Sequence, residues 1–62
     1  MTYALILGAS SGFGGATAVE LARSGMNIIG VHLDRNSTMP AAVAVQESIR
    51  QHGREAHFFN VN

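Results

Sequence analysis

The sequence has 62 residues, of which 47% are hydrophobic and 13% charged, with a formal net charge of zero. That balance is too apolar for a disordered segment, and Arg23, Arg35, Arg50 and Arg54 stand too far apart to form the basic stripe that a nucleic acid or an anionic membrane surface requires. A chain of this size buries only about 60% of the surface its unfolded form exposes. With no cysteine, and with His32, His52 and His57 unpaired at ligand spacing, neither a disulfide nor a metal site is expected to add stability.

The N-terminus is apolar from Tyr3 to Leu7 but carries no basic leader and reaches Gly8 too soon for a signal peptide or a membrane span, so a cytoplasmic location is expected. The run Thr2 to Leu7 (TYALIL) predicts a first strand, short and buried on both faces. From Phe13 the spacing turns helical: Phe13, Thr17, Leu21 and the small Ala18 and Ala22 share one side, and Gly25 is placed to end the helix. Asn27 to Leu33 (NIIGVHL) predicts a second strand, leaving through the polar Asp34-Arg35-Asn36-Ser37.

Thr38 is a candidate cap for a second helix over about residues 39 to 52, with Pro40 tolerated in its first turn and Ala41, Ala42, Val45 and Ile49 recurring at helical intervals up to Gly53. Glu55 to Val61 (EAHFFNV) predicts a third strand; its adjacent Phe58 and Phe59 suit burial on both faces. Strand, helix, strand, helix, strand with short connections forces parallel strands joined by right-handed crossovers. The expected fold class is therefore α/β: the βαβαβ mononucleotide-binding half of a Rossmann fold, a doubly wound parallel sheet. No linker or repeat divides the chain, and residues 1–62 read as the N-terminal part of one such domain, the remainder of which is absent from this sequence.

Between the first strand and first helix lies Gly8-Ala9-Ser10-Ser11-Gly12-Phe13-Gly14-Gly15. Gly8 permits a tight exit from the strand, Gly12 allows backbone to approach a pyrophosphate, and Gly14 allows the helix to pack closely; the helix N–H groups then face the phosphates, where the dipole favours negative charge. A compact turn of small residues with no ligand is the plainer explanation for a glycine triplet. Its position between strand and helix argues for the phosphate turn, as does Asp34, twenty residues past Gly14 near the end of the second strand. A P-loop is excluded because the sequence has no lysine. Gly8-Ala9-Ser10-Ser11-Gly12 also satisfies the Gly-x-Ser-x-Gly elbow of α/β-hydrolases, which would make Ser10 a nucleophile, but that elbow follows an internal strand and only seven residues precede Gly8.

The segment GASSGFGGATAVELARSG resembles the Gly-x-x-x-Gly-x-Gly segment of the short-chain dehydrogenases and reductases, and the resemblance runs through all 62 residues. It departs from that family's usual pattern at Leu7, where Thr is common, and at Phe13, where Ile is common. The resemblance implies an NAD(P)-dependent oxidoreductase moving a hydride between a nicotinamide cofactor and a small carbonyl or alcohol substrate, homo-oligomeric when complete, with no nucleic-acid or membrane partner. It implies that Gly8, Ser10, Ser11, Gly12, Phe13 and Gly14 surround the pyrophosphate and adjoining ribose. Asn60 and Val61 fall where the family commonly places Asp and an apolar residue against the adenine.

Catalysis in the family uses a tyrosine with a lysine four residues later. Tyr3 is the sole tyrosine here, there is no lysine, and no catalytic residue is assigned. A non-catalytic dinucleotide-binding or interaction module is the alternative reading. Cofactor choice falls to His32, Asp34 and Arg35: an acid at this strand end favours a free 2′-hydroxyl and an arginine a 2′-phosphate. Counting from Gly25, the acid of NAD-preferring relatives falls on His32, so Asp34 is expected to turn away from the ribose and Arg35 to meet a 2′-phosphate, a lean towards NADP(H) over NAD(H).

Overall fold

A computed structural model describes residues 2–10 and 12–61. Its elements are β1 (Tyr3–Leu7), α1 (Gly12–Arg23), β2 (Asn27–His32), α2 (Met39–Gln51) and β3 (Ala56–Asn60). The strands form one parallel sheet in the order β1-β2-β3, so β2 is central; Ile6 faces Gly30 and Gly30 faces Phe58 across it. This is the expected α/β arrangement, with element limits within about two residues of those read from the sequence. The helices end alike. Gly25 N–H donates to Ala22 O and Met26 N–H to Leu21 O after α1, and Gly53 N–H to Arg50 O and Arg54 N–H to Ile49 O after α2. These paired bonds satisfy carbonyls that the end of a helix leaves open.

Each crossover moves one strand further in the same direction, so two right-handed connections leave both helices on one face of the sheet, where α1 and α2 also touch. The core lies between them: Ala18 and Ala22 of α1, Ile28 of β2, Ile49 of α2 and Ala56 of β3, with Ala4, Ile6, Val45 and Phe58 against it. Gly30 leaves the space at the sheet centre that the Phe58 ring and the Ala9 methyl fill; a Cβ there would stand 2.8 Å from the ring and 2.9 Å from the methyl.

Three sequence expectations are corrected. Burial on both faces of β1 and β3 fails, because successive side chains alternate and only one face carries helices: Leu5 is 65%, Leu7 74% and Phe59 57% exposed. The inward side of α1 is Gly15, Ala18 and Ala22, whereas Phe13 and Thr17 face solvent. Thr38 sits at the N-cap of α2 with helical backbone angles and makes no side-chain cap; its hydroxyl is taken up by the backbone of Arg35. Among the described residues no helix is long and apolar enough to cross a membrane.

Candidate cofactor site

The glycine turn lies at the carboxyl ends of the strands, where ligands of open α/β sheets bind. It is tied to β2 by two bonds to one acceptor, Gly8 N–H and Ala9 N–H donating to Val31 O at 2.8 and 3.2 Å. Gly12 opens α1 with φ at +57°, a left-handed conformation that side chains with a Cβ resist, and the space a Cβ would take there is open. Gly14 is required for a different reason: its Cβ would overlap the Gly8 carbonyl, so α1 packs onto the turn only through glycine at this position. The first turn of α1 has no acidic side chain to occupy its partial positive charge. Open backbone over Gly12, close helix approach at Gly14 and a first helical turn free of acidic side chains fit a pyrophosphate.

Of the other residues expected here, Phe13 is 94% exposed beside the turn, and Ser11 lies outside the described residues. Ser10 is buried, and its hydroxyl donates to Asp34 Oδ1 at 2.6 Å. The same oxygen lies 3.2 Å from His32 Nδ1. An ionised carboxylate only accepts, so Nδ1 carries the proton in this contact. The Ser10 hydroxyl, followed by the His32 ring and Thr38, holds the Asp34 carboxyl below the usual carboxylate range against the opposing effect of burial. Asp34 is thereby held onto the glycine turn through Ser10.

Asn60, at the end of β3, fixes the Asp34 backbone: its Oδ1 accepts from Asp34 N–H at 2.8 Å and its Nδ2 donates to Asp34 O at 3.1 Å. Val61 N–H donates to His32 O at 2.8 Å, and the Val61 side chain is half exposed. The Arg35 side chain is exposed and enters no ion pair among the described residues. Ser10, Leu33, Asp34, Ser37, Thr38 and Ala41 line a cleft of about 370 Å³ beside the turn. Ser37 and Thr38 were not expected in it. Their signal was the polar run following the second strand, at the strand ends where such folds bind ligands. A larger hollow between α1 and α2, lined by Gly12, Ala16, Val19, Glu20, Val45 and Ser48 among others, offers no cation for a phosphate and carries the Glu20 carboxylate, which opposes one.

The hydrolase reading of Ser10 fails on this geometry. In a nucleophilic triad the histidine stands between serine and acid, whereas here the carboxylate stands between Ser10 and His32, and the Ser10 hydroxyl meets Asp34 in place of an imidazole. Tyr3 lies at the opposite end of the sheet from the turn, and its hydroxyl donates to Glu55 Oε1 at 2.8 Å, raising the phenol above its ordinary value.

A family model for short chain dehydrogenase matches residues 2–62. Among solved structures, a short-chain dehydrogenase/reductase from Burkholderia xenovorans superimposes with a TM-score of 0.89 at 31% identity, over 100% of this chain and 25% of that one. Carveol dehydrogenase from Mycobacterium avium, solved in complex with NAD, gives 0.86 at 26% identity over 98% of this chain and 25% of that one. A metagenomic short-chain oxidoreductase, solved with NADP, gives 0.81 at 28% over 98% and 26%. Nothing among the curated proteins matches. The chain spans about a quarter of the length of the solved chains it resembles. The glycine turn, the parallel βαβαβ order and the match over almost every residue together make this chain a member of the short-chain dehydrogenase family.

Proposed function

We propose that residues 1–62 form the N-terminal part of a single NAD(P)-binding Rossmann domain, the cofactor-binding beginning of an oxidoreductase whose substrate is a small carbonyl or alcohol. The observation that carries this is the glycine turn, open over Gly12 and close at Gly14, set beside an ionised carboxylate at the end of β2. When bound, the nicotinamide supplies or takes the hydride. This chain's part is to hold the dinucleotide: Gly8, Ser11, Gly12, Phe13 and Gly14 around the pyrophosphate, with Ser10, His32, Asp34, Arg35, Asn60 and Val61 towards the adenosine. The NAD and NADP complexes of the two similar proteins support a nicotinamide dinucleotide as the ligand.

The preference between the two follows from Asp34. The count from Gly25 favours NADP(H) only with that side chain turned away from the ribose. Its carboxylate, ionised and turned onto Ser10 at the ribose end, favours a 2′-hydroxyl and opposes a 2′-phosphate, which supports NAD(H) as the preferred cofactor with exposed Arg35 as the opposing influence. Calorimetric titration of the full-length protein with both cofactors, beside an assay of reduced-nicotinamide consumption on aldehydes and ketones, tests this. Tighter NADP(H) binding sinks the preference. Binding without turnover supports the non-catalytic module, and no binding removes the cofactor reading altogether.

A further inference from the structure

We propose that His32 acts through Asp34 as a proton-operated specificity residue, setting how strongly this protein discriminates against a 2′-phosphorylated dinucleotide. The inference rests on the cofactor reading above and adds a regulation to that site. The His32 and Asp34 side chains are 2% and 6% exposed, with Nδ1 and Oδ1 3.2 Å apart, so little solvent screens one from the other. The oxygen that meets His32 is the one that accepts the Ser10 hydroxyl of the glycine turn. A change of charge on the imidazole is thereby delivered to the carboxylate that borders the ribose.

Among the described residues the surroundings of this pair are electrostatically simple. From β3, His32 faces the Phe58 ring at a centroid distance of 5.8 Å and Asn60 in register, neither of which titrates. The first turns of α1 and α2 carry no acidic side chain. Ser10 comes from the turn, and Arg35, exposed and permanently charged, is the remaining ionic group of the segment from 32 to 38. With the ring neutral, Nδ1–H donates to the carboxylate and the pair bears one negative charge. With the ring protonated the same hydrogen bond persists and the pair is neutral, so repulsion of a 2′-phosphate falls. Histidine is the side chain whose charge changes between about pH 5 and 8.

The test is the ratio of NADP+ to NAD+ affinity of the full-length protein across about pH 5.5 to 8. The ratio is expected to fall on the order of tenfold as pH rises, the size of one unit charge acting through a partly screened site. The 2′-phosphate itself gains charge near pH 6 and contributes to that slope, so His32→Asn, which keeps an N–H donor and cannot titrate, isolates the histidine's share. His32→Asn should be flatter than the parent, and His52→Asn, on the exposed end of α2, should follow the parent. A His32→Asn profile equal to the parent's overturns the proposal. Should that variant fail to fold, His32→Gln, which also keeps an N–H donor and cannot titrate, takes its place, and a profile equal to the parent's overturns the proposal. If neither cofactor binds at any pH, the cofactor reading falls and this inference with it, whereas binding with a pH-insensitive ratio overturns this inference alone.

Discussion

Asn60 holds Asp34 by both of its backbone polar groups, accepting from its N–H at 2.8 Å and donating to its carbonyl at 3.1 Å. The end of β3 thus fixes the residue that turns its carboxylate onto the glycine turn. Asn60→Ala removes both bonds and should cost about 1–2 kcal/mol in denaturant unfolding. It should also narrow the difference between NAD(H) and NADP(H) affinities, because Asp34 is then free to leave the turn. Unchanged stability and unchanged discrimination would show that the clamp is idle.

Ser10→Ala removes the donor that does most to keep the Asp34 carboxyl ionised. A carboxyl whose folded pKa is depressed adds stability above its unfolded value, about 3.9, and loses it as pH falls through the lower folded value. The variant should therefore melt several degrees below the parent near neutral pH, and the two should converge as the medium is acidified below the ordinary carboxylate range. Thermal scans across that range check the sign; a gap that widens towards acid would refute it.

Gly14→Ala drives a methyl into the Gly8 carbonyl, and α1 can relieve this only by lifting away from the turn. The expected cost is about 1–3 kcal/mol, typical of overpacking a close contact, with loss of dinucleotide binding. Gly12→Val meets open space but must hold φ near +57°, so it should lose both cofactor affinity and about 1–2 kcal/mol of stability. Normal cofactor binding by Gly12→Val would be incompatible with the phosphate-turn assignment.

Arg35→Ala tests the opposing charge at the ribose end. Arg35 is exposed and enters no ion pair among the described residues, so its removal should leave stability within about 0.5 kcal/mol. It should weaken NADP(H) selectively and leave NAD(H) binding close to the parent's. An equal loss for both cofactors would place Arg35 on a phosphate they share.

Leu5, Leu7 and Phe59 form part of an apolar sheet face that no helix of this chain covers. Residues 1–62 produced alone should self-associate and bind a hydrophobic dye, and Leu7→Glu with Phe59→Glu should reduce both. The same material should show no dehydrogenase turnover, as it has neither a lysine nor a tyrosine outside the sheet's far end. A monomer with a cooperative transition well above room temperature would count against the first expectation, and measurable turnover against the second.

The order and type of the five elements were legible because they depend on local facts: apolar runs of strand length, helical spacing of Ala18, Ala22, Val45 and Ile49, and glycines at the turns. The glycine turn was legible for the same reason, since the demands on Gly12 and Gly14 arise within a few residues of chain. Only packing shows why β2 carries glycine at position 30, where the Phe58 ring and the Ala9 methyl approach. Which face of each strand is buried depends on two crossovers running in one direction, a property of the sheet and of no single segment. The direction of Asp34 was decided in the same way. Counting along β2 gives a register but not a partner, and the Ser10 hydroxyl, the His32 ring and the Asn60 amide that capture Asp34 come from the turn, β2 and β3, brought within hydrogen-bond reach only when the sheet forms.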